Sequence, residues 1–306
     1  MTDTRRPLDA QAVALMMVLC WIWGFQQIAI KAVAADISPT LQIGLRSGLA
    51  AILVALYMHW RGERLTVAGG MWKHGCAAGL LFALEFVFVG VGLGHTTASH
   101  MVVFLYSAPI FAALGLHLKL PSERLAPLQW LGIALAFMGI AVAFLWHGNS
   151  GGSAAAATLK GDLLGLLAAI AWGATTVLIR TTPLSGLPAS QTLLYQLAAA
   201  FVVLVPAAWA LGLWQLRPTP LAVASMAFQT VVIAFASLLA WFALLRRYLA
   251  SRLGVFSFMT PLFGVLMGAW LLGEPIEPGF LAGATLVLAG ITLVSGYGWI
   301  ARWLPK

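Results

Sequence analysis

The chain has 306 residues, of which 61% are hydrophobic and only 8% are charged, whereas soluble domains carry about 25% charged residues. A soluble fold of this length cannot hide so much apolar surface, so the composition predicts an integral membrane protein. The formal net charge of +8 does not predict a nucleic-acid partner, because the seventeen basic residues are scattered and form no patch.

Ten apolar runs of roughly 20 residues follow one another along the chain, which is the length that crosses about 30 Å of hydrocarbon. The predicted crossings are residues 10–33, 40–60, 73–93, 97–117, 127–146, 161–180, 190–213, 221–245, 250–272 and 279–300. A cleaved signal peptide is the alternative for the first run, but the run is longer than a signal's apolar region and its pattern returns later. The predicted fold class is an all-α membrane protein with ten transmembrane helices.

The basic residues indicate how the chain is oriented. With ten crossings both termini share a side, and thirteen basic residues fall on that side against three on the other. The thirteen are Arg5, Arg6, Arg61, Arg64, Lys73, Lys119, Arg124, Arg180, Arg246, Arg247, Arg252, Arg302 and Lys306, and the three are Lys31, Lys160 and Arg217. The positive-inside rule therefore predicts that both termini are cytoplasmic.

An internal repeat divides the chain. The stretch "WGFQQIAIK" at 23–31 is answered by "WGATTVLIR" at 172–180, an offset of 149 residues. Further matched pairs are Pro39 with Pro188, Gln42 with Gln191, Ser99 with Ser251, Pro109 with Pro261 and Gly139 with Gly290. We predict two five-helix repeats, residues 1–146 and 159–306, joined by a flexible linker at 147–158 that is rich in Gly, Ser and Ala. Because five is odd, the second repeat must enter the membrane inverted, as in many secondary transporters.

Glu85 is the main candidate for function, because it lies in the apolar stretch "FALEFVFVGV" at 82–91. A charged side chain inside a membrane costs about 2.5 to 3.5 kcal/mol on translocon scales, so it should face a polar cavity or carry a proton. Its repeat partner is Ser237, at an offset of 152. Phe82 shares a helical face with Glu85, and a carboxyl group beside an aromatic ring suits a cation with an apolar body. A structural hydrogen bond to a neighbouring helix is the alternative role.

Trp23 and Trp172 are related by the repeat and lie in mid-helix, away from the interfaces where tryptophan usually anchors. Gln27 and Thr176 lie one turn further along the same faces, so the two tryptophans and these polar groups predict an aromatic and polar cavity lining. Packing of the repeats around the adjacent glycines, Gly24 and Gly173, is the competing explanation.

Tyr106 and its partner Phe258 precede Pro109 and Pro261 by three residues. A proline inside a membrane helix removes a backbone hydrogen bond and tends to kink the helix. The two prolines are therefore candidate hinges, although such kinks are often only structural. Tyr106, Phe258 and Trp241 are further candidates for the cavity wall.

Other charged groups are weaker candidates. Arg46 is expected to snorkel, or to bind a carbonyl or lipid headgroup, with substrate contact as the less favoured alternative. Lys31 and Asp36 are a possible gate pair. His95 and His100 are five residues apart, the wrong interval for one helical face, so no metal site is predicted. Cys20 and Cys76 are too few for a disulfide framework.

Sequence motifs exclude several mechanisms. There is no phosphate-binding G-x-x-x-x-G-K-[ST], no H-E-x-x-H and no G-x-S-x-G, so ATP-driven transport and the familiar hydrolases have no support and no cofactor is expected. Small residues spaced four apart predict close helix packing. These pairs are Gly44 with Gly48, Gly75 with Gly79, Gly264 with Gly268, and Gly279 with Gly283.

The Trp-Gly-x6-Lys/Arg element in both first helices, the matched prolines and "LLGEPIEPGFLAGATLVLAGI" at 271–291 together resemble one family. The chain resembles an EamA-type member of the drug/metabolite transporter superfamily, with an overall look similar to the amino-acid exporters of the YddG-like group. The first repeat departs from the family pattern, because "PSE" at 121–123 stands where "GE" is expected. The resemblance implies export of amino acids or related metabolites through a cavity between the repeats by alternating access.

The leading hypothesis is a secondary transporter, not an enzyme, that exports neutral or aromatic amino acids. Its predicted substrate-binding residues are Trp23, Gln27, Phe82, Glu85, Tyr106, Trp172, Thr176, Trp241 and Phe258. The alternatives are an exporter of drugs or organic cations and, remotely, a membrane-embedded enzyme. The expected partners are a small-molecule substrate and membrane lipids, with no nucleic acid, and a monomer is expected.

Overall fold

The protein is all-helical and membrane-spanning, as the sequence predicts. The structure, a computed structural model, describes residues 10–66, 68–121, 124–148, 153–247, 256 and 259–300. The helices are α1 Ala10–Ala32, α2 Pro39–Trp60, α3 Met71–Gly92, α4 Ala98–Lys119, α5 Pro127–Gly148, α6 Ser153–Thr181, α7 Ala189–Ala210, α8 residues 220–247, α9 Met259–Leu272 and α10 Pro278–Ile300. Seven are long and apolar enough to span a membrane, and apolar stretches of α5, α9 and α10 are shorter.

The ten helices form two inverted five-helix repeats, which confirms the predicted fold class. We call the end of the bundle where α5 ends at Gly148 and α6 begins at Ser153 the linker end. The opposite end, where α1 begins at Ala10 and α10 ends at Ile300, is the terminal end. Helices α1, α3 and α5 of the first repeat run toward the linker end. Their equivalents in the second repeat, α6, α8 and α10, run away from it.

The two repeats are intertwined. Helix α1 of the first repeat packs against α9 of the second, and α4 of the first packs against α6 of the second. Other large contacts join α3 to α6 and α7 of the second repeat, and join the repeat-equivalent pairs α2 with α7 and α5 with α10. A central site can therefore be built from both repeats.

Glycines bring several of these helices into backbone contact. A Cβ atom on Gly139 of α5 would lie 2.5 Å from the Gly283 carbonyl oxygen of α10, and one on Gly48 of α2 would lie 2.5 Å from the Phe201 ring of α7. A Cβ atom on Gly79 of α3 would lie 2.7 Å from the Tyr195 carbonyl oxygen of α7. The predicted role of the small-residue pairs in close packing is confirmed at these positions.

Two crossings are irregular near their middle. Helix α4 consists of Ala98–Leu105 and Ala108–Lys119, separated by a turn at Tyr106 and Ser107, with Pro109 in the first turn of the second segment. Helix α8 consists of Pro220–Phe228, a π-helical segment Gln229–Ser237, and Leu238–Arg247. π-Helical segments are rare and are frequent at functional sites.

Helical backbone extends into the predicted linker from both sides. Helix α5 continues to Gly148, and α6 begins at Ser153, eight residues before the predicted crossing. This corrects the prediction of a flexible linker for residues 153–158. The physical reason is the alanine run, because alanine has the highest intrinsic helix propensity.

Candidate functional site

An arginine and a glutamate lie buried at the same depth in neighbouring helices. Arg46 is seven residues after the start of α2 at Pro39, and Glu85 is seven residues before the end of α3 at Gly92. At 1.5 Å per residue, each is about 10 Å from the linker end of its helix. Arg46 is 3% exposed and Glu85 is 5% exposed, so both are enclosed by protein.

The two helices are held together close to this pair. A Cβ atom on Gly90 of α3 would lie 2.7 Å from the Thr40 hydroxyl and 2.8 Å from the Thr40 Cα of α2. Only glycine allows this approach, which lies about one and a half helical turns from Arg46 and from Glu85. The backbone contact therefore fixes the spacing of Arg46 and Glu85.

Arg46 does not behave as the sequence predicts. Instead of snorkelling to the membrane surface, its guanidinium carbon lies 5.3 Å from the centre of the Phe86 ring, and Nη1 donates to Gln229 Oε1 at 3.5 Å. A cation over an aromatic face is stabilised by the ring quadrupole. The physical reason is packing: α2 contacts α3, α7 and α8, and Arg46 is only 3% exposed, so its side chain is enclosed by protein.

Gln229 is held in place by a buried chain of polar groups. Its Nε2 donates to Gln42 Oε1 at 2.8 Å and to Ser225 Oγ at 3.0 Å. Gln42 Nε2 in turn donates to the Ile30 carbonyl at 3.0 Å and to the Ile37 carbonyl at 2.7 Å. Because its amide nitrogen is occupied, Gln229 presents its oxygen to Arg46.

Glu85 is the less satisfied of the two charges. Its Oε2 is buried and has no hydrogen-bond partner among the described residues. Glu85 and Arg46 interact electrostatically, but no ion pair within 4.0 Å joins them in the described part of the chain. A buried charge is costly unless it is paired and hydrogen-bonded, so Glu85 has capacity for a further partner.

Aromatic side chains surround the pair on the predicted faces. Phe82 packs edge-on against Phe86 with ring centres 4.7 Å apart, and Tyr106 packs edge-on against Trp172 at 5.3 Å. Phe82, Tyr106 and Trp172 all pack in the largest hydrophobic cluster of the bundle. Tyr106 lies at the break in α4, and the Tyr106–Trp172 pair packs in the same cluster as Phe86, the neighbour of Glu85 in sequence.

Trp23 and Trp241 form a second aromatic contact between the repeats. Trp23 Nε1 donates to Ser237 Oγ at 2.9 Å, and the Trp23 ring lies edge-on to Trp241 at 5.7 Å. Trp23 packs in the same cluster as Trp172 and also in a second cluster that contains Trp241. The structure thus brings together five of the predicted aromatic residues. Trp23 shares one cluster with Phe82, Tyr106 and Trp172, and it also contacts Trp241.

The other predicted substrate-binding and hinge residues have different environments. Gln27 is 1% exposed, and its Oε1 has no hydrogen-bond partner among the described residues. Thr176 Oγ1 donates to the Trp172 carbonyl of its own helix at 3.1 Å. Phe258 lies outside the described residues. Pro109 follows the break in α4, whereas Pro261 is the third residue of the described part of α9; no observation tests either as a hinge.

Polar contacts join neighbouring segments at the linker end, but Lys31 and Asp36 do not form the suggested pair. Lys31 Nζ donates to the carbonyl oxygens of Leu93, at 2.8 Å, and Thr96. Asp36 instead accepts from the Thr219 hydroxyl at 2.7 Å. Each residue therefore ties α1 and its following loop to a different neighbour.

Glu274 of the "GEP" stretch makes a further contact at this end. Its carboxylate accepts from the Ala98 amide at 2.7 Å, and from the Ser99 amide and hydroxyl at 3.0 and 2.6 Å. These groups begin α4, where unpaired amides and the helix dipole favour a carboxylate. Glu274 therefore caps a helix of the other repeat, a role that the sequence did not indicate.

His100 belongs to a separate buried cluster. His100 Nδ1 lies 2.9 Å from Asp162 Oδ2, and the Thr96 hydroxyl donates to Asp162 Oδ1 at 2.5 Å. His95 is not part of it. Among the described residues no group of three or more His, Cys, Asp or Glu side chains is arranged to hold a metal ion.

Comparison with known proteins agrees with this architecture. The model of the EamA-like transporter family matches residues 10–145 and 159–296. The chain therefore belongs to the EamA-like transporter family, and its two halves are two copies of that family's unit.

Relatives of known sequence cover nearly the whole chain. A protein of Salmonella typhimurium described as a probable amino-acid metabolite efflux pump is 26% identical over 91% of this chain and 92% of its own length. The uncharacterized transporter YvbV of Bacillus subtilis is 24% identical over 92% and 90%, and an uncharacterized protein of Pseudomonas aeruginosa is 31% identical over 87% and 86%. One solved structure superposes with a TM-score of 0.65 at 17% identity, covering 96% of this chain and 99% of its own, which supports the fold alone.

Proposed function

We propose that this protein is a secondary transporter that exports small metabolites, most favourably neutral or aromatic amino acids, by alternating access. The observation that carries the proposal is a buried carboxylate with an unpartnered oxygen, Glu85, beside aromatic side chains between two inverted repeats. Inverted-repeat transporters bind substrate where their repeats meet. The efflux-pump description of the Salmonella relative is consistent with this class of substrate.

The lining suits a ligand with both polar and apolar parts. Phe82, Tyr106 and Trp172 offer ring faces and edges near Glu85, and burial of an apolar side chain contributes roughly 25 cal/mol per Å². Gln27 adds a buried oxygen without a partner among the described residues. An amino acid with an aromatic or branched side chain would use both kinds of group.

An exporter of hydrophobic cations is the second candidate. Glu85 among aromatic rings would suit a cation, but Arg46 places a positive charge at the same depth. The electrostatic interaction between the two residues supports a ligand that is not purely cationic. This site is compatible with proton-coupled export, in which Glu85 would carry the proton. It is equally compatible with facilitated export without coupling.

The orientation follows from the basic residues. The terminal end receives thirteen lysines and arginines and the linker end three, so we assign the terminal end to the cytoplasm of a bacterial inner membrane. Under this assignment the contacts of Lys31, Asp36 and Glu274 lie on the outer side.

Reconstitution in liposomes tests the proposal. Uptake of labelled tryptophan and leucine would be measured while unlabelled amino acids, sugars, nucleotides and hydrophobic cations compete, with protein-free liposomes as the control. The proposal predicts saturable uptake that neutral and aromatic amino acids inhibit. Absence of amino-acid flux together with inhibition or transport of cations would contradict it and favour the second candidate.

A further inference from the structure

We infer that Arg46 and Glu85 form the recognition site for a zwitterion, with Arg46 binding the carboxylate and Glu85 the ammonium group of an α-amino acid. This inference rests on the proposed function and specifies its substrate chemistry. It assigns substrate contact to Arg46, although the sequence alone favours snorkelling or binding to a carbonyl or lipid headgroup for this residue.

The placement of the two charges is the first argument. They lie at the same depth on α2 and α3, and the Gly90–Thr40 contact fixes the spacing of these helices. The charges interact electrostatically, yet no ion pair within 4.0 Å joins them in the described part of the chain. A zwitterion carries both of its charges on groups attached to one carbon atom, so it can bridge two opposite charges that do not touch.

The unused hydrogen-bonding capacity is the second argument. Arg46 has five N–H donors, and its only hydrogen bond among the described residues is the 3.5 Å contact with Gln229. Glu85 Oε2 has no partner there. A guanidinium binds a carboxylate through two parallel hydrogen bonds, and a carboxylate accepts from an ammonium group. The ligand would therefore supply what each buried charge lacks.

Broken repeat symmetry is the third argument. The repeat partner of Arg46 is Tyr195, at the offset of 149 that also relates Gln42 to Gln191, and the partner of Glu85 is Ser237. A charge needed only to build the five-helix unit would be needed in both copies. Both charges instead belong to the first repeat, and Ser237 is used by Trp23.

The pair also explains how other ligands would be rejected. An amine without a carboxylate would bring a positive charge next to Arg46, and an acid without an amine would bring a negative charge next to Glu85. Unpaired or like charges in a buried site are strongly unfavourable. The site would thus select against the single-charge analogues of its own substrates.

The test compares ligands that differ only in these charges. Competition with labelled tryptophan would be measured for tryptophan, tryptamine and indole-3-propionate, and the corresponding leucine series would be run in parallel. Wild type should prefer the zwitterion at least tenfold, the factor expected for one charge-assisted hydrogen bond. Arg46→Gln should lose the preference over the amine, and Glu85→Gln the preference over the acid. A purely structural pair would not produce this exchange of selectivity.

Folding is controlled separately, because removing one charge leaves the other uncompensated. The double variant Arg46→Gln/Glu85→Gln removes both charges, and size-exclusion profiles in detergent establish which variants are folded. The double variant should lose both preferences, so it tests the inference even if a single variant fails to fold. Folded variants that retain the wild-type preferences would overturn the inference but leave the proposed function standing. A wild-type protein that responds to no amino acid would overturn both.

Discussion

Trp23 Nε1 donates a 2.9 Å hydrogen bond to Ser237 Oγ, and Ser237 occupies the repeat position that Glu85 holds in the first half of the chain. Trp172, the repeat partner of Trp23, packs on Tyr106 instead, and Glu85 Oε2 has no partner among the described residues. The mid-membrane polar group of the second repeat is therefore satisfied by a side chain of the first repeat, whereas the first repeat leaves its own polar group open for a ligand.

Ser237→Ala removes the acceptor of the Trp23 hydrogen bond and should lower stability modestly. Hydrogen bonds between membrane helices average about 0.6 kcal/mol, so a small decrease in the thermal unfolding temperature in detergent is expected. Thr285→Ala is the matched control, because this exposed hydroxyl bonds only to the Leu281 carbonyl of its own helix. Equal unfolding temperatures for the two variants would show that the Trp23–Ser237 bond adds nothing to stability.

Gly139→Ala should destabilise the protein strongly. The added Cβ atom would lie 2.5 Å from the Gly283 carbonyl oxygen and 2.7 Å from the Val287 amide nitrogen, both backbone atoms that cannot rotate away. Overpacking of this kind costs about 1 to 3 kcal/mol, because α5 and α10 must move apart. Thermal unfolding in detergent measures the effect.

Gly186→Ala is the control for that variant, since a Cβ atom at Gly186 would meet nothing within 4 Å. Its unfolding temperature should match wild type. If Gly139→Ala were as stable as Gly186→Ala, the close packing of α5 on α10 would not hold this bundle together.

Trp172→Phe should weaken substrate binding, because it removes part of the aromatic surface that packs against Tyr106 in the proposed site. We expect several-fold weaker competition by aromatic amino acids with little change in stability. Trp270→Phe is the matched control, since Trp270 is 82% exposed on the outside of the bundle. Equal affinities for the two variants would place Trp172 outside the binding site.

A fluorescent protein fused to the C-terminus should fluoresce in bacteria, because the assigned orientation places both termini in the cytoplasm. An alkaline phosphatase fusion at the same position should be inactive, since that enzyme needs an oxidising compartment to form its disulfides. The reverse pattern would invert the assignment and place the Lys31 and Glu274 contacts on the inner side.

The architecture could be predicted from the sequence because a small number of strong constraints governs membrane-spanning folds. Ten apolar runs, an odd-numbered repeat and the pairing of "WGFQQIAIK" with "WGATTVLIR" were sufficient to predict inverted five-helix units. The start of α6 was misjudged by eight residues, because "SAAAAT" has both the composition of a linker and a strong helix propensity.

The environment of Arg46 could not be predicted in the same way. A helix that is apolar on all sides gives no signal of which face is buried, and Arg46 is enclosed because it lies on the face of α2 that packs against other helices of the bundle. Gln229 was missed for a related reason: its orientation depends on the π-helical segment and on Gln42 from the other repeat. The sequence feature that drew attention to Arg46 was a charged residue inside the second predicted membrane crossing.

The central claim is that this protein carries amino acids by alternating access, and counterflow tests it most directly. Proteoliposomes would be loaded with unlabelled tryptophan or leucine and diluted into a trace of the labelled compound. A carrier that exchanges substrate should accumulate label transiently above its equilibrium level, and the double variant Arg46→Gln/Glu85→Gln should reduce that overshoot at least tenfold. Label that only approaches equilibrium, or never enters, would contradict an amino-acid carrier built around this site.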